Sequence, residues 1–436
     1  MKILVLGSGG REHAILWALN QTSSVDLELF GAPGNAGISQ LATCLPLSST
    51  DPSSLVDYVK SEGIDLTMVG PEAPLAEGIV DSFEQQRLAI VGPSRAASRL
   101  ESSKAFAKDF MARNKIPTAD YCVVDSVASA QEILRSGRFG SVSSPVVVKA
   151  DGLAAGKGVI VAGSRAEAEA AAASLMSGNV VDPDAAKRVV IEQALEGTEA
   201  SLLLFSDGRD YALMPAARDH KRIGENDTGP NTGGMGAITD RSILEKAVLD
   251  RVVREVVEPT LKGARSEGFP FRGVLFLGLM LTAEGPKLLE YNVRFGDPET
   301  QAILVRLKTS LLDVFEAIRT GALRELKVEW SDDSSVCVVL ASEGYPGKYR
   351  AGVPIEGLAD LATDKNVQVF HAGTTRSERG EVVTAGGRVL GVTATGATLD
   401  DALRLCYSAV EKISWQGMQY RRDIGKFRTM PLKAGH

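Results

Sequence analysis

Each short apolar run in the first hundred residues ends at a glycine or proline turn, and that punctuation leaves the chain few folds. Met1 to Leu6 runs into Gly7-Ser-Gly9-Gly10-Arg11-Glu-His13 and then a helix through about Leu19. Runs at about Leu27 to Phe30, Leu66 to Val69 and Ala89 to Val91 stop in the same way. Between the second and third, Asp51 caps a helix, Pro52 occupies its first turn and Gly63 ends it. Strands alternating with helices predict an open parallel sheet with right-handed crossovers. Ligands of such sheets gather beyond the strand C-termini. Three turns stand there: Gly9 to Arg11, Gly34-Asn35-Ala-Gly37 and Gly70-Pro-Glu72-Ala-Pro74. The first leads into a helix N-terminus, whose backbone N–H groups and dipole suit a phosphate. A dinucleotide fits poorly, because G-x-G-x-x-G needs glycine or alanine where Glu12 stands, and no acid follows the second strand.

The length of 436 residues predicts roughly two to four domains. Net charge −7 argues against bulk nucleic-acid binding and leaves room for a local basic pocket. There is no charged-then-apolar leader, and no apolar run of the roughly 18 residues a membrane span needs. Cys44, Cys122, Cys337 and Cys406 form no C-x-x-C pair, and His13, His220, His371 and His436 have no metal-ligand spacing. These features predict a cytoplasmic chain without a zinc site, a disulfide framework or a membrane partner; separately, the chain is expected to act as a monomer. His371 reads as a structural residue.

Nucleotide chemistry is concentrated in the middle. Lys104 opens an amphipathic helix, and residues 120 to 200 form a compact unit. Lys149 lies inside the apolar strand Pro145-Val-Val-Val-Lys-Ala150, where a buried ammonium needs an anion and phosphate is the obvious one. The following loop, Asp151-Gly152-Leu-Ala-Ala-Gly-Lys157-Gly158, is not a P-loop. It has three residues between Gly152 and Gly156 instead of four, and Gly158 stands where Ser or Thr should be. A strand-to-strand flap over a triphosphate fits better. Glu192 to Gly197 leaves a strand as a connector able to offer backbone groups to an adenine edge, with Glu199 free for ribose hydroxyls. The basic run Ala217-Arg-Asp-His-Lys-Arg222 precedes Asp227 to Ala237, whose four glycines permit close backbone approach to a ligand. Finally, if residues 286 to 292 are extended, Glu290 and Asn292 share a face and offer hard oxygens to Mg²⁺. Arg294, Asp297 and Glu299 follow just past the strand end.

Lys149, the glycine flap, Glu192 to Leu195, and Glu290 with Asn292 occur in an order that resembles the ATP-grasp superfamily. Within it the chain resembles the glycinamide ribonucleotide synthetases. The likeness rests on Gly7 to His13, Val69-Gly-Pro-Glu-Ala-Pro-Leu75, Lys149 to Gly158, Asp219-His-Lys-Arg222, Thr228 to Ala237 and Arg294-Phe-Gly-Asp-Pro-Glu-Thr-Gln301. It extends from residue 1 to about 426, and Tyr420-Arg-Arg-Asp-Ile-Gly425 resembles the family's terminal motif.

The resemblance implies an α/β and α+β multidomain chain. An N-terminal open parallel α/β substrate domain would cover 1–103, and a two-part ATP-grasp core 104–328, with a mobile lid at about 120–192. A small β-rich C-terminal domain would cover 329–436. It implies ATP-dependent ligation of glycine to 5-phosphoribosylamine, giving glycinamide ribonucleotide, ADP and phosphate through glycyl phosphate, in de novo purine synthesis. Carried over by position, Lys104, Lys149, Gly152, Lys157, Glu192, Ala194, Leu195, Glu199 and Lys221 would hold ATP. Glu290 and Asn292 would hold Mg²⁺ or Mn²⁺. Arg294, or Arg218, would pair with the glycine carboxylate. Gly9, Gly10, Arg11, Asn35 and Glu72 would receive phosphoribosylamine. Asp219, Asn231, Gly233 and Glu299 would also bind substrate, while Arg294, Asp297 and Lys221 would act in catalysis. Many ATP-grasp enzymes carry another metal-binding acid one strand earlier; Gly273 to Leu281 has none. Other classes remain: a biotin-dependent carboxylase component or different ATP-grasp ligase, and a non-catalytic nucleotide-binding protein.

Overall fold

The computed structural model describes residues 1–154, 158–178, 185, 187–361 and 365–427. Its first layer is a parallel five-stranded sheet in the order Thr43–Cys44, Glu28–Pro33, Lys2–Gly7, Leu66–Val69, Ile90–Val91. Alternate residues of the central strand enter two different cores. Ile3 and Val5 join Ala14 and Ile15 of the helix Gly10–Thr22, while Leu4 and Leu6 join Leu55 and Phe83 of the helices Pro52–Glu62 and Ile79–Gln85. The expected helix ends hold: Asp51 accepts from the Ser54 N–H, and Gly63 closes the helix at φ 64, a left-handed conformation that favours glycine. The chain lays strands to one side of Lys2–Gly7 and then to the other. The turns after Gly7 and Val69 therefore diverge and open a crevice.

A ten-stranded sheet forms the second layer. Its main path runs Gly285–Asn292, Arg272–Thr282, Thr198–Asp207, Ala217–Asp219, Gly236–Thr239, Ser334–Ser342, Arg388–Gly396, Val367–His371, with antiparallel pairing throughout. The C-terminal strands thus extend the core sheet, because Ser334–Ser342 is buried at every position and needs partners along both edges. A register shift opposite Gly278 and Leu279 leaves Leu289 as an extra residue in its strand. Pro286 and Leu288 are buried before this bulge and Tyr291 after it, so Glu290 and Asn292 share the face opposite Tyr291.

The third layer is a separate antiparallel sheet, ordered Tyr121–Val124, Val189–Gln193, Val146–Ala150, Val159–Ala162. The helices Val127–Arg135 and Arg165–Met176 pack on it and give it an apolar cluster of its own. Ser164 caps the second helix by accepting from the Glu167 N–H; Glu167 reaches back to Gly163, one residue beyond the cap a capping box would select. Among the described residues no helix is long and apolar enough to cross a membrane, and all four cysteines are free.

Candidate active site

Lys149 does meet an anion, and it is a side chain. Its Nζ stands 3.1 Å from Glu192 Oε1 and also donates to the Leu289 carbonyl, the bulge residue, at 3.4 Å. The other Glu192 oxygen lies 3.0 Å from Lys108 Nζ. All three groups are buried, Glu192 to 1% exposure. Lys108 also donates to Thr118 Oγ1 at 2.7 Å, which donates to the Leu288 carbonyl at 2.6 Å. Burial pulls Lys108 down to about 8 against the upward influence of Glu192. One helical turn earlier, Lys104 donates to the Gly152 carbonyl at 3.2 Å; burial lowers its pKa and Glu290 opposes the shift. Asp151 fixes the near end of the flap by accepting from Ala105 N at 2.8 Å and from Arg188 Nη2 at 2.6 Å. Lys157, the flap lysine, lies outside the described residues.

Glu290 stands opposite Gly278, where a Cβ would come within 3.2 Å of its Cγ. Burial would raise its carboxyl, yet Lys149, Lys221, Lys104 and Arg294 together hold it below the usual carboxylate range. Asn292 Oδ1 accepts from Arg294 Nη2 at 3.3 Å. Across the groove, Lys221 Nζ lies 2.7 Å from Glu199 Oε2, and Arg218 Nε donates to the Glu199 carbonyl at 2.9 Å. Ala194 and Leu195 follow directly on the strand Val189–Gln193 as connector. Among the described residues no group of three or more His, Cys, Asp or Glu side chains is arranged to hold a metal. Two oxygens on one strand face, amid lysines, fit a Mg²⁺ whose other ligands are phosphate and water; they do not make an all-protein cage.

Arg294 joins this groove to the N-terminal sheet. Its Nε lies 3.1 Å from Glu72 Oε2, its Nη2 lies 2.9 Å from Glu101 Oε1, and its Nη1 donates to the Phe295 carbonyl. Burial works upward on Glu72, but Arg294 and Arg11 hold it at about 2. Burial raises Glu101 despite Arg294. The guanidinium expected to meet glycine is therefore already matched by two carboxylates, and a substrate carboxylate would have to share it.

The first and third N-terminal turns meet at a cavity of about 420 Å³ through Gly9 and Pro71, while the second touches it only through Pro33, the strand residue before Gly34. Arg11 also lines it, and Asp297 and Arg388 close it from elsewhere in the chain. Glu12 folds back under the first turn, accepting from Gly9 N and from Arg11 Nε at 2.6 Å each. Asn35 uses its whole amide on the protein: Nδ2 donates to the Ser8 and His371 carbonyls, and Oδ1 accepts from Gly37 N and Ile38 N. Its side chain braces the second turn, with no donor or acceptor left for a ligand. Gly10 starts the helix against Gln301, which donates to Asp297 Oδ1 at 2.8 Å. Arg388 Nη2 lies 3.2 Å from Asp297 Oδ2, and its Nη1 donates to the Asp297 and Gly233 carbonyls. Burial raises Asp297, and Arg388 and Arg11 reverse the shift. Glu299 goes the other way, raised to about 7 by burial and by the neighbouring Asp219. Asn231 pairs with Arg222 in a two-stranded ribbon at the rim. His371 is structural: its N–H donates to His13 Nδ1 at 2.8 Å and its ring meets Thr374.

Sequence reasoning missed Lys108, Glu101, Glu12 and Arg388. Lys108 had a signal, since it lies one turn from Lys104 on a helix carrying Phe106 and Phe110. Arg388 had none, because only the extended sheet brings it to Asp297.

A lysine-lined groove between an antiparallel core sheet and a small antiparallel sheet with a glycine flap defines an ATP-grasp enzyme. Three family models cover almost the whole chain: the N domain of phosphoribosylglycinamide synthetase at residues 1–101, its ATP-grasp (A) domain at 102–300 and its C domain at 335–427. The chain belongs to the phosphoribosylglycinamide synthetase family. It is 45% identical over 424 residues to the phosphoribosylamine–glycine ligase of Caldanaerobacter subterraneus subsp. tengcongensis, covering 97% of this chain and 99% of that relative. Identity to the same-named enzyme of Escherichia coli O157:H7 is 46% over 428 residues, 98% of both chains. The crystal structure of phosphoribosylamine–glycine ligase from Thermotoga maritima matches with TM-score 0.82 and 34% identity, covering 97% of this chain and 100% of that one. The biotin carboxylase domain of Hydrogenobacter thermophilus 2-oxoglutarate carboxylase shares the fold at TM-score 0.71 and 16% identity, over 96% of this chain and 91% of that one.

Proposed function

We infer that this chain joins glycine to 5-phosphoribosylamine, forming glycinamide ribonucleotide and converting ATP to ADP and phosphate, as a monomer in purine synthesis. The observation that carries the reading is the segment Glu290 to Glu299, which reaches from the lysine-ringed groove to the cavity of the N-terminal turns. One site thus has room for a triphosphate at one end and an amino sugar at the other.

The chemistry needs no protein nucleophile. A glycine carboxylate oxygen attacks the γ-phosphorus, ADP leaves, and glycyl phosphate forms. The amine of phosphoribosylamine then attacks the acyl carbon, and phosphate departs with the oxygen that had attacked. Lys104, Lys149 and Lys221 place positive charge where phosphates would lie, with Glu199 toward the ribose and Ala194 and Leu195 toward the base. Glu290 and Asn292 are the residues to hold Mg²⁺ or Mn²⁺, which would neutralise charge developing on the phosphates. Arg294, shared with Glu72 and Glu101, orients the glycine carboxylate; Gly9 and Arg11 line the cavity for the amino sugar, with Gly10 next in the chain and Glu72 close to Arg11. Glu299, set near neutrality beside Asp219, is suited to accept the proton that the amine releases. An acyl phosphate hydrolyses easily, which gives a reason for a water-excluding flap after Gly152.

The test is ADP formation by the purified chain. It is expected only when glycine and phosphoribosylamine are both present. ADP release that depends on bicarbonate would favour a carboxylase, and tight ATP binding without turnover would favour a non-catalytic protein.

A further inference from the structure

Residues 218 to 222 have two sides. Lys221 and Asp219 belong to the groove, Lys221 by its contact with Glu199 and Asp219 by its proximity to Lys221 and Glu299. His220 between them, and Arg218 and Arg222 on either side, are held by the last described stretch of the chain. Phe427 stacks on the His220 ring with centroids 4.3 Å apart and planes 16° apart, and the Arg218 guanidinium lies 4.6 Å from its centroid. Gly425 N donates to His220 Nε2 at 3.0 Å. Arg421, only 1% exposed, donates to the Arg222 carbonyl at 3.0 Å and to Asp227 Oδ1 at 2.8 Å, and is itself oriented by both oxygens of Asp423.

A fully buried arginine is costly unless its charge and its N–H groups are met. Here they are met by Asp423 in its own segment and by the Arg222 carbonyl and Asp227 of the 222–227 loop. Nothing in the mechanism uses Arg421, His220 or Phe427. Asp219 and Lys221 each lie between two held positions: the Arg218 and His220 side chains against Phe427 flank Asp219, and His220 and the Arg222 carbonyl, held by Gly425 and Arg421, flank Lys221. We propose that the segment Arg421–Phe427 is a positioning clasp for the reaction, with Phe427 and Arg421 acting through His220 and the Arg222 backbone to aim Lys221 and Asp219 into the groove. This inference rests on the ligase reading and adds a part of the site drawn from the chain's far end.

Phe427 packs against the edge of the main apolar core and is itself only partly buried, so it can be altered without emptying an enclosed core position. Phe427→Leu keeps apolar bulk but removes the stack, and Phe427→Tyr keeps the ring. In the full chain, Phe427→Leu is expected to raise the KM for ATP and lower kcat by about tenfold to a hundredfold together. The KM for phosphoribosylamine, whose cavity is lined by neither Asp219 nor Lys221, should stay within twofold or so of the parent by the same reasoning, and Phe427→Tyr should restore both parameters. Arg421→Lys, which loses the forked geometry, is expected to repeat the pattern. Three results would overturn the clasp: Phe427→Leu with unchanged ATP kinetics, a fall in kcat with every KM unchanged, or a Phe427→Tyr variant no better than Phe427→Leu. A parent chain inactive with both co-substrates would instead sink the ligase reading.

Discussion

Glu192→Gln is the substitution whose cost the structure sets most sharply. The parent carboxylate is almost fully enclosed and lies against two buried ammonium groups, at 3.1 Å and 3.0 Å. Glutamine keeps the shape, but its Oε1 can serve one lysine only, and its NH₂ then faces the other. Removing one partner of a buried ion pair costs about 3–5 kcal/mol, because the remaining charge is uncompensated. Against a whole-domain stability of roughly 5–15 kcal/mol this is a large loss. It should be local first, in the sheet that carries Val146–Ala150 and Val189–Gln193, since that sheet has its own core. The loss also has a pH sign. Lys108 sits at about 8 in the folded chain and near 10.4 unfolded. Between those values the unfolded chain keeps a proton that the folded chain sheds, so stability rises with pH. Without Glu192 to support the ammonium, that window opens at lower pH. Hydrogen exchange of the two strands at pH 7 and pH 9 reads both effects. Expected is weakened protection at the lower pH, partly recovered at the higher. Unchanged protection at pH 7, or a deficit that grows with pH, would refute the reasoning.

Glu290→Ala should abolish ADP formation at millimolar Mg²⁺ while leaving circular dichroism and melting near the parent values; near-normal turnover would remove the metal assignment. Gly70→Ala places a Cβ 2.1 Å from Glu12 Oε1, which displaces the carboxylate that holds Gly9 and Arg11. The KM for phosphoribosylamine should rise with that for ATP unchanged, and an unaltered KM would count against the turn as the sugar site. Glu72, held at about 2, contributes stability above the ordinary carboxylate range that disappears as pH falls towards 2. Glu72→Gln should therefore melt below the parent at neutral pH, with the gap closing on acidification; a gap independent of pH would contradict the Arg294 pairing.

Much of the scaffold was legible because it depends on local rules. Asp51, Pro52 and Gly63 delimit their helix through capping and backbone conformation, which neighbours in sequence decide. The glycine-ended strands declared the parallel sheet for the same reason. Lys149 was legible as a costly buried charge, but its partner was not, since Glu192 lies on a neighbouring strand and phosphate satisfied the same electrostatic demand. The pairing of Glu290 with Asn292 on one face could be read from alternation alone only because the bulge falls at Leu289, before both. Asn35 illustrates the opposite limit. Its place in a crevice turn was readable, whereas the four hydrogen bonds that consume its amide depend on His371 and on loop geometry. Arg388 was invisible because nothing local reveals that Ser334–Ser342 extends the core sheet and carries it to Asp297.

The proposed reaction turns on glycine being activated as an acyl phosphate in the groove of Lys149 and Glu290. Glycine labelled with ¹⁸O in its carboxylate tests this directly. After one turnover with ATP and phosphoribosylamine, mass spectrometry of the released phosphate should show one ¹⁸O per phosphate, with the other retained in the product amide. Phosphate free of label, with glycinamide ribonucleotide still formed, would contradict the mechanism.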